Sequence, residues 1–241
     1  MDQGSAPDSA TWSLRSRGPA HGVSHRCLDV QRAARPRCAF GRLFGFDPLH
    51  PDAVDSYREA LGERRVGRIL AGLGGEWRVL HAVPHGDAGA DIDHLVIGPP
   101  GVVTITTSGP VAADLEARAA SRALSRATGS TIVAAPIVVA ATGDDRPGVP
   151  TVVTVPRLLR HLRDLPGVFG PDVVASVARA AEEWTTWRPF DVGAGHSDPD
   201  DAFERLHAEV TRARTRRIVW QLAGVTALVA TVFAIASRVV P

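Results

Sequence analysis

Between Ile218 and Ala236 the chain runs nineteen residues without a formal charge, broken only by Gln221, Gly224, Thr226 and Thr231. Coiled as a helix, such a stretch measures about 28 Å, close to the roughly 30 Å of a bilayer's hydrocarbon layer. Trp220 stands near one end, where an interfacial aromatic is expected. Polar residues show no helical period within the segment and arginines flank it, which disfavours a buried core helix. The segment therefore predicts a single transmembrane helix and a lipid bilayer as partner. Arg212, Arg214, Arg216 and Arg217 precede it and only Arg238 follows, so the positive-inside rule predicts a cell-membrane protein with residues 1–217 in the cytoplasm. The same arginines suit anionic headgroups. Ala223, Ala227 and Thr231 make a small-residue ridge, the kind of surface through which two membrane helices form a homodimer.

The remainder is long enough, among 241 residues with 44% hydrophobic content, for a sizeable core. Two cysteines exclude a disulfide framework, and a net charge of +1 excludes a uniformly basic nucleic-acid coat. All 27 cationic side chains counted as Lys or Arg are arginine. No chemistry that needs a lysine amine can run on this chain.

Residues 1–48 carry Gly18, Pro19, Gly22 and Pro36 among scattered arginines, with no sustained period, and predict a disordered tail. Cys27 and Cys38 lack zinc-finger spacing and read as reduced thiols. No apolar stretch near Met1 resembles a secretory signal. From residue 51 to about 190 the pattern is that of one mixed α/β domain. Leu61, Val66, Ile69, Leu70 and Leu73 recur at helical spacing, and Gly72, Gly74 and Gly75 end that helix. Trp77 to Val83 predicts a strand. Ile92–Ile97 and Val102–Thr107 flank Gly98-Pro99-Pro100-Gly101 and predict a hairpin. A helix over Ala112–Thr128, strands over Thr131–Ala140 and Val152–Val155, and helices after Pro156 and from Pro171 to about Trp187 complete the order. Residues 191–217 read as a linker and a polar helix, capped by Asp198 and with a thin stripe of Phe203, Leu206 and Val210, a connector and not a core element.

Two stretches carry the chemistry: Gly62-Glu63-Arg64-Arg65-Val66-Gly67, and Gly89-Ala90-Asp91-Ile92-Asp93-His94-Leu95-Val96-Ile97-Gly98-Pro99-Pro100-Gly101-Val102. Together they resemble the nuclease-related (NERD) domain, most strongly over residues 58–107. The resemblance implies a PD-(D/E)XK nuclease-like fold, an αβββαβ core with a mixed sheet. It also implies a site in which a helix acid and a strand acid hold Mg²⁺ or Mn²⁺. A third-strand acid or amide follows in that site, and then a lysine that steadies charge on the phosphate. Glu63 matches the helix acid, Asp93 the strand acid and His94 the neighbouring histidine. The basic loop that relatives carry between third strand and second helix is shortened here.

The hairpin register can be worked out from the turn alone. Paired residues sum to 199, so Asp93 faces Thr106, and Ser108 shares the face of Thr106 by the two-residue strand period. Thr106 thus stands at the third acidic position and Ser108 at the lysine position. Neither hydroxyl carries a charge. Asp91 lies on the face of Asp93 and completes a candidate metal set of Glu63, Asp91 and Asp93. The expected function is a membrane-anchored nuclease-related protein, catalytically degenerate and acting as a binding or scaffolding module. One alternative is a Mg²⁺-dependent DNA endonuclease using Glu63, Asp91 and Asp93, with an arginine in place of lysine. Another is a membrane interaction protein with no nucleic-acid role. His81, His85 and His161 show no ligand spacing with one another or with acidic partners.

Overall fold

The computed structural model describes residues 14–35, 37–85, 90–140, 145–148, 150–187 and 199–239. In chain order its elements are helices α1 (His21–Ala33), α2 (Ala39–Phe44) and α3 (Val54–Leu70), and strands β1 (Arg78–His85), β2 (Ala90–Gly98) and β3 (Gly101–Thr106). Helix α4 (Pro110–Thr128), strands β4 (Ala134–Ala140) and β5 (Thr151–Thr154), and helices α5 (Leu158–Asp164), α6 (Pro171–Glu182), α7 (Trp184–Trp187) and α8 (Asp200–Val239) follow. Residues 1–13 and Pro36 of the expected tail, Gly89 of the motif, and the linker and cap expected over 191–198 lie outside the described residues.

Five strands form one mixed sheet in the order β1-β2-β3-β4-β5. The first three are antiparallel neighbours, while β4 runs parallel to β3 and β5 parallel to β4. Antiparallel strands need only tight turns; the parallel step from β3 to β4 needs a crossover, which α4 supplies. From α3 to β4 the element order is the αβββαβ series. The hairpin register is the one the turn dictates: Gly98 pairs with Gly101, Ile97 with Val102 and His94 with Ile105. Gly101 takes a φ of 104°, open to glycine at no steric cost.

Strand alternation sorts the core into two layers. Leu95, Ile97 and Val102 pack with Ala117, Ala120 and Leu124 of α4 and with Val177 and Ala178 of α6. On the other face Val96, Val103 and Ile105 meet Val66 and Leu70 of α3 and Leu158 and Leu162 of α5. Trp77 closes that second layer and lies against Gly98. A Cβ on Gly98 stands 2.3 Å from Trp77 Cε3 and 2.6 Å from its Cδ2. Gly98→Ala is therefore expected to cost about 1–3 kcal/mol through overpacking, read as a lowered denaturation midpoint. An unchanged midpoint would mean that the indole swings aside without loss.

By internal contacts the described residues divide into two units: 14–23 with 58–187, and 24–57 with 199–239. The described residues between 14 and 48, expected as a tail, take part in both units. In the first unit Leu14 is buried within the layer containing Leu95 and Ile97, and Arg15 pairs with Glu182. A Cβ on Gly67 stands 2.7 Å from Pro19 Cβ, so the glycine lets the N-terminal segment cross α3 closely. In the second unit α1 buries Ser24, Cys27 and Leu28. Ser24 and Cys27 occupy the i and i+3 positions of that stripe, and being small and polar they hide the helical period from a hydropathy reading.

Helix α8 runs forty residues without a break. Its early part is not the connector expected: Phe203, Leu206, Val210 and Ala213 are buried, and Tyr57 stacks on Phe203 with ring centroids 5.6 Å apart. The Tyr57 hydroxyl also meets His207 Nδ1 at 2.7 Å. A stripe of three large residues is narrow by count, yet all three are buried, and the aromatic ring of Tyr57 on α3 covers Phe203. The later part of α8 is exposed, with none of its most apolar window buried. By length and composition this helix can cross a membrane.

Candidate functional site

Asp93 lies in β2 with its carboxylate turned toward the α4 layer, nearly buried. Thr106, directly across the hairpin, donates its hydroxyl hydrogen to Asp93 Oδ2 at 2.6 Å, and the Thr107 amide donates to the same oxygen at 3.3 Å. Ser108 N–H donates to Thr106 Oγ1 at 3.1 Å, fixing the direction of that hydroxyl. The residue at the expected lysine position, Ser108, sends its own hydroxyl to Glu59 Oε1 at 3.3 Å. Glu59 is one turn before Glu63 on α3. Gly62, between them, passes Thr107 at van der Waals distance, with 3.6 Å between an added Cβ and Thr107 Oγ1.

A second acid at the site comes from α4. Glu116 is only 4% exposed, and its Oε2 accepts the Asp93 amide hydrogen at 3.3 Å. That amide is available because β1 bends away. Ala82 takes a φ of 47°, and the β1–β2 register passes from His81–His94 to Val83–Ile92 without pairing Ala82 and Asp93. A left-handed alanine is a local strain that the packing must hold in place. The sequence held one signal for Glu116. It falls three residues after Ala113 and four before Ala120, on the stripe that α4 buries.

Electrostatically the two acids differ. Burial pushes Asp93 up to about 6; the bonds from Thr106 and Thr107 oppose the shift, and the charges of Glu59 and Asp91 add to it. Burial, and then the neighbouring Asp93 charge, push Glu116 up to about 9. Burial and mutual repulsion keep the two carboxyls from ionising together, so the pair holds on to a proton well above the ordinary carboxylate range.

Asp91 is held elsewhere. Arg17, from the N-terminal segment, pairs with its Oδ2 at 3.5 Å, both side chains being largely buried. The arginine nearest in sequence after the hairpin, Arg118, pairs instead with Asp114 one turn back on α4 at 2.7 Å.

Glu63 is buried on α3, on the side of the sheet opposite the α4 layer, where its backbone neighbours His94. His94 is fully buried and meets His81, its cross-strand partner, through Nδ1 atoms 2.8 Å apart, the rings edge to face. Burial pushes His81 down to about 4 and His94 well below its usual range, so both are neutral imidazoles. Two neutral rings satisfy one such contact when one donates and the other accepts.

The expected metal set is thus not drawn together. Asp93 and Thr106 meet as the register requires, Asp91 pairs with a guanidinium, and the Glu63 backbone meets His94. Among the described residues no three of His, Cys, Asp and Glu stand in metal-binding geometry.

The stretch that builds this hairpin and its flanking helix is the one the comparisons single out. Residues 58–109 match the family model of the nuclease-related domain, NERD. No curated protein and no solved structure matches the chain. The NERD match runs from the second turn of α3 through β3 and stops just before α4. Glu59, Glu63, Asp91, Asp93, His94, Thr106 and Ser108 fall within it; Glu116 and Arg17 do not.

Proposed function

We propose that the chain is a membrane-tethered nuclease-related protein whose NERD domain no longer cleaves phosphodiesters and serves as a binding or scaffolding module at the cytoplasmic face. One observation supports this above others: Ser108, at the lysine position, turns its hydroxyl to Glu59 and offers no cation to a phosphate. A hydroxyl cannot neutralise the charge that develops in phosphoryl transfer as an ammonium does. The exposed apolar half of α8 supports tethering, and the arginines before it support the cytoplasmic orientation. DNA and a second copy, joined through Ala223, Ala227 and Thr231, are the partners this reading accommodates.

The direct test incubates the full chain in detergent with supercoiled plasmid and single-stranded DNA, with Mg²⁺ or Mn²⁺. Cleavage no faster than that of Asp93→Ala is expected. Turnover abolished by Asp93→Ala would overturn the proposal.

A second reading, a working nuclease with arginine in the lysine's role, draws on Arg17, whose guanidinium reaches the candidate acid Asp91. Arginine keeps its charge and grips phosphate in two places, but does not transfer protons at ordinary pH. This reading needs Mn²⁺ to release heat on binding to wild type and not to Asp93→Ala. Flat calorimetric traces for both would exclude it.

A further inference from the structure

Where α8 passes from arginine-rich to apolar, a second apolar surface lies beside it. Helix α2 begins at Cys38, whose Sγ accepts the Gly41 amide hydrogen at 3.3 Å, and ends at Gly45 in the left-handed region with a φ of 75°. It is bound to α8 at several points. Trp220 Nε1–H donates to the Leu43 carbonyl at 3.2 Å, and the Phe44 and Trp220 rings lie 4.9 Å apart. Arg216 donates to the Arg42 carbonyl at 3.0 Å, and the Arg217 guanidinium sits 5.6 Å from the centre of the Phe46 ring. Gly45 makes the crossing possible. A Cβ there stands 2.1 Å from the Ala213 carbonyl oxygen, so every larger residue forces the two segments apart.

So held, α2 and the turn after it leave Phe40, Leu43 and Phe46 exposed at 62, 57 and 40%. On α8, Ile218, Val219 and Leu222 are likewise exposed, and they flank Trp220, the residue that binds Leu43 and Phe44. Arg42 lies between Phe40 and Leu43 on α2, Arg216 binds its carbonyl and Arg217 sits over Phe46. Aromatic and aliphatic side chains on one side with arginines alongside are the makeup of an interfacial element, which sinks about 5–10 Å into the headgroup and acyl boundary.

We infer that α2 and Phe46 form a wedge that seats in the headgroup layer of an anionic bilayer beside the entry point of α8. This rests on the reading that α8 spans the membrane. Continuity with the exposed half of α8 selects lipid over a protein partner, and the bordering arginines select anionic headgroups. The wedge sets the depth and rotation of α8, because Trp220 is tied to Leu43 and cannot move along the membrane normal without it.

The test uses the full chain in vesicles of phosphatidylcholine with phosphatidylglycerol, in a Cys38→Ser background that keeps a capping side chain at α2. An environment-sensitive fluorophore is attached at Leu43→Cys or, separately, at Val225→Cys; the unlabelled-site control subtracts any reaction of buried Cys27. Lipids brominated near the headgroup end of the acyl chain or near the bilayer centre serve as quenchers. The position-43 label is expected to emit at shorter wavelength in vesicles and to lose intensity to the shallow bromines. The position-225 label is expected to lose intensity to the deep ones. Quenching at 225 with a water-exposed, unquenched label at 43 overturns the wedge and leaves the anchor standing. No quenching at 225 overturns the anchor and the wedge with it. A label at 43 that is shielded from water yet untouched by bromine marks self-association and also overturns the wedge. Equal quenching at 43 in vesicles without phosphatidylglycerol overturns the role given to the arginines.

Discussion

Glu116→Gln is expected to flatten the dependence of stability on pH between about pH 5 and pH 9. In the folded chain burial and the adjacent Asp93 charge raise the Glu116 carboxyl to about 9, against an ordinary value of 4.5. A group raised on folding stabilises fully below its unfolded value, and that contribution disappears as pH climbs toward the folded one. Asp93, raised to about 6, acts with the same sign over a narrower span. At 1.36 kcal/mol for each pKa unit, wild type at pH 7 has lost roughly 3 kcal/mol relative to acid conditions through Glu116. Glutamine keeps the shape and an oxygen for the Asp93 amide while having no proton to lose. Denaturant unfolding of the full chain in micelles at pH 5, 7 and 9 should show wild type weakening throughout, and the variant weakening only up to about pH 7, where Asp93 has ionised, and level beyond it. Parallel curves would show that Glu116 is ionised in the folded chain.

The histidine pair behaves in the opposite sense. Folding depresses His81 from 6.5 to about 4, and His94 further, through burial. As pH falls below 6.5 the unfolded chain takes up protons that the folded pair refuses, so stability declines down to about pH 4. For His81 alone the loss reaches roughly 3 kcal/mol at pH 4. His81→Gln, which retains a group able to meet His94 Nδ1, should remove much of that decline. The effect is cleanest with Glu116→Gln in both proteins, since the carboxyl's rising contribution in acid otherwise offsets it. Equal acid sensitivity with and without His81 would show that the ring is protonated and solvated in the fold.

Much of the hairpin was legible in advance. Gly98-Pro99-Pro100-Gly101 leaves one compact way to turn, and a turn with a known centre sets every pair after it. The contact of Asp93 with Thr106 therefore followed from arithmetic on residue numbers and was found at 2.6 Å. The helix from α3 and the order of strands followed from periods of hydropathy. Glu116 and the His81–His94 contact did not. Glu116 reaches Asp93 from twenty-three residues away because α4 crosses back over the hairpin. His81 meets His94 because the β1–β2 ladder places them opposite. Arg17 was equally hidden, because it meets Asp91 from a segment more than seventy residues away along the chain.

The sequence by itself determined the charges on offer: no lysine anywhere, hydroxyls at positions 106 and 108, a long apolar segment bordered by arginines, and a turn that sets the hairpin register. Those are properties of residue identity and short-range geometry, which no packing can alter. Only the tertiary structure decided where the acids are directed. Asp91 is matched with Arg17, Asp93 is coupled to Glu116, and the Glu63 backbone meets His94. Each of these depends on contacts between segments far apart along the chain, where burial and neighbouring charge, rather than local pattern, determine the outcome.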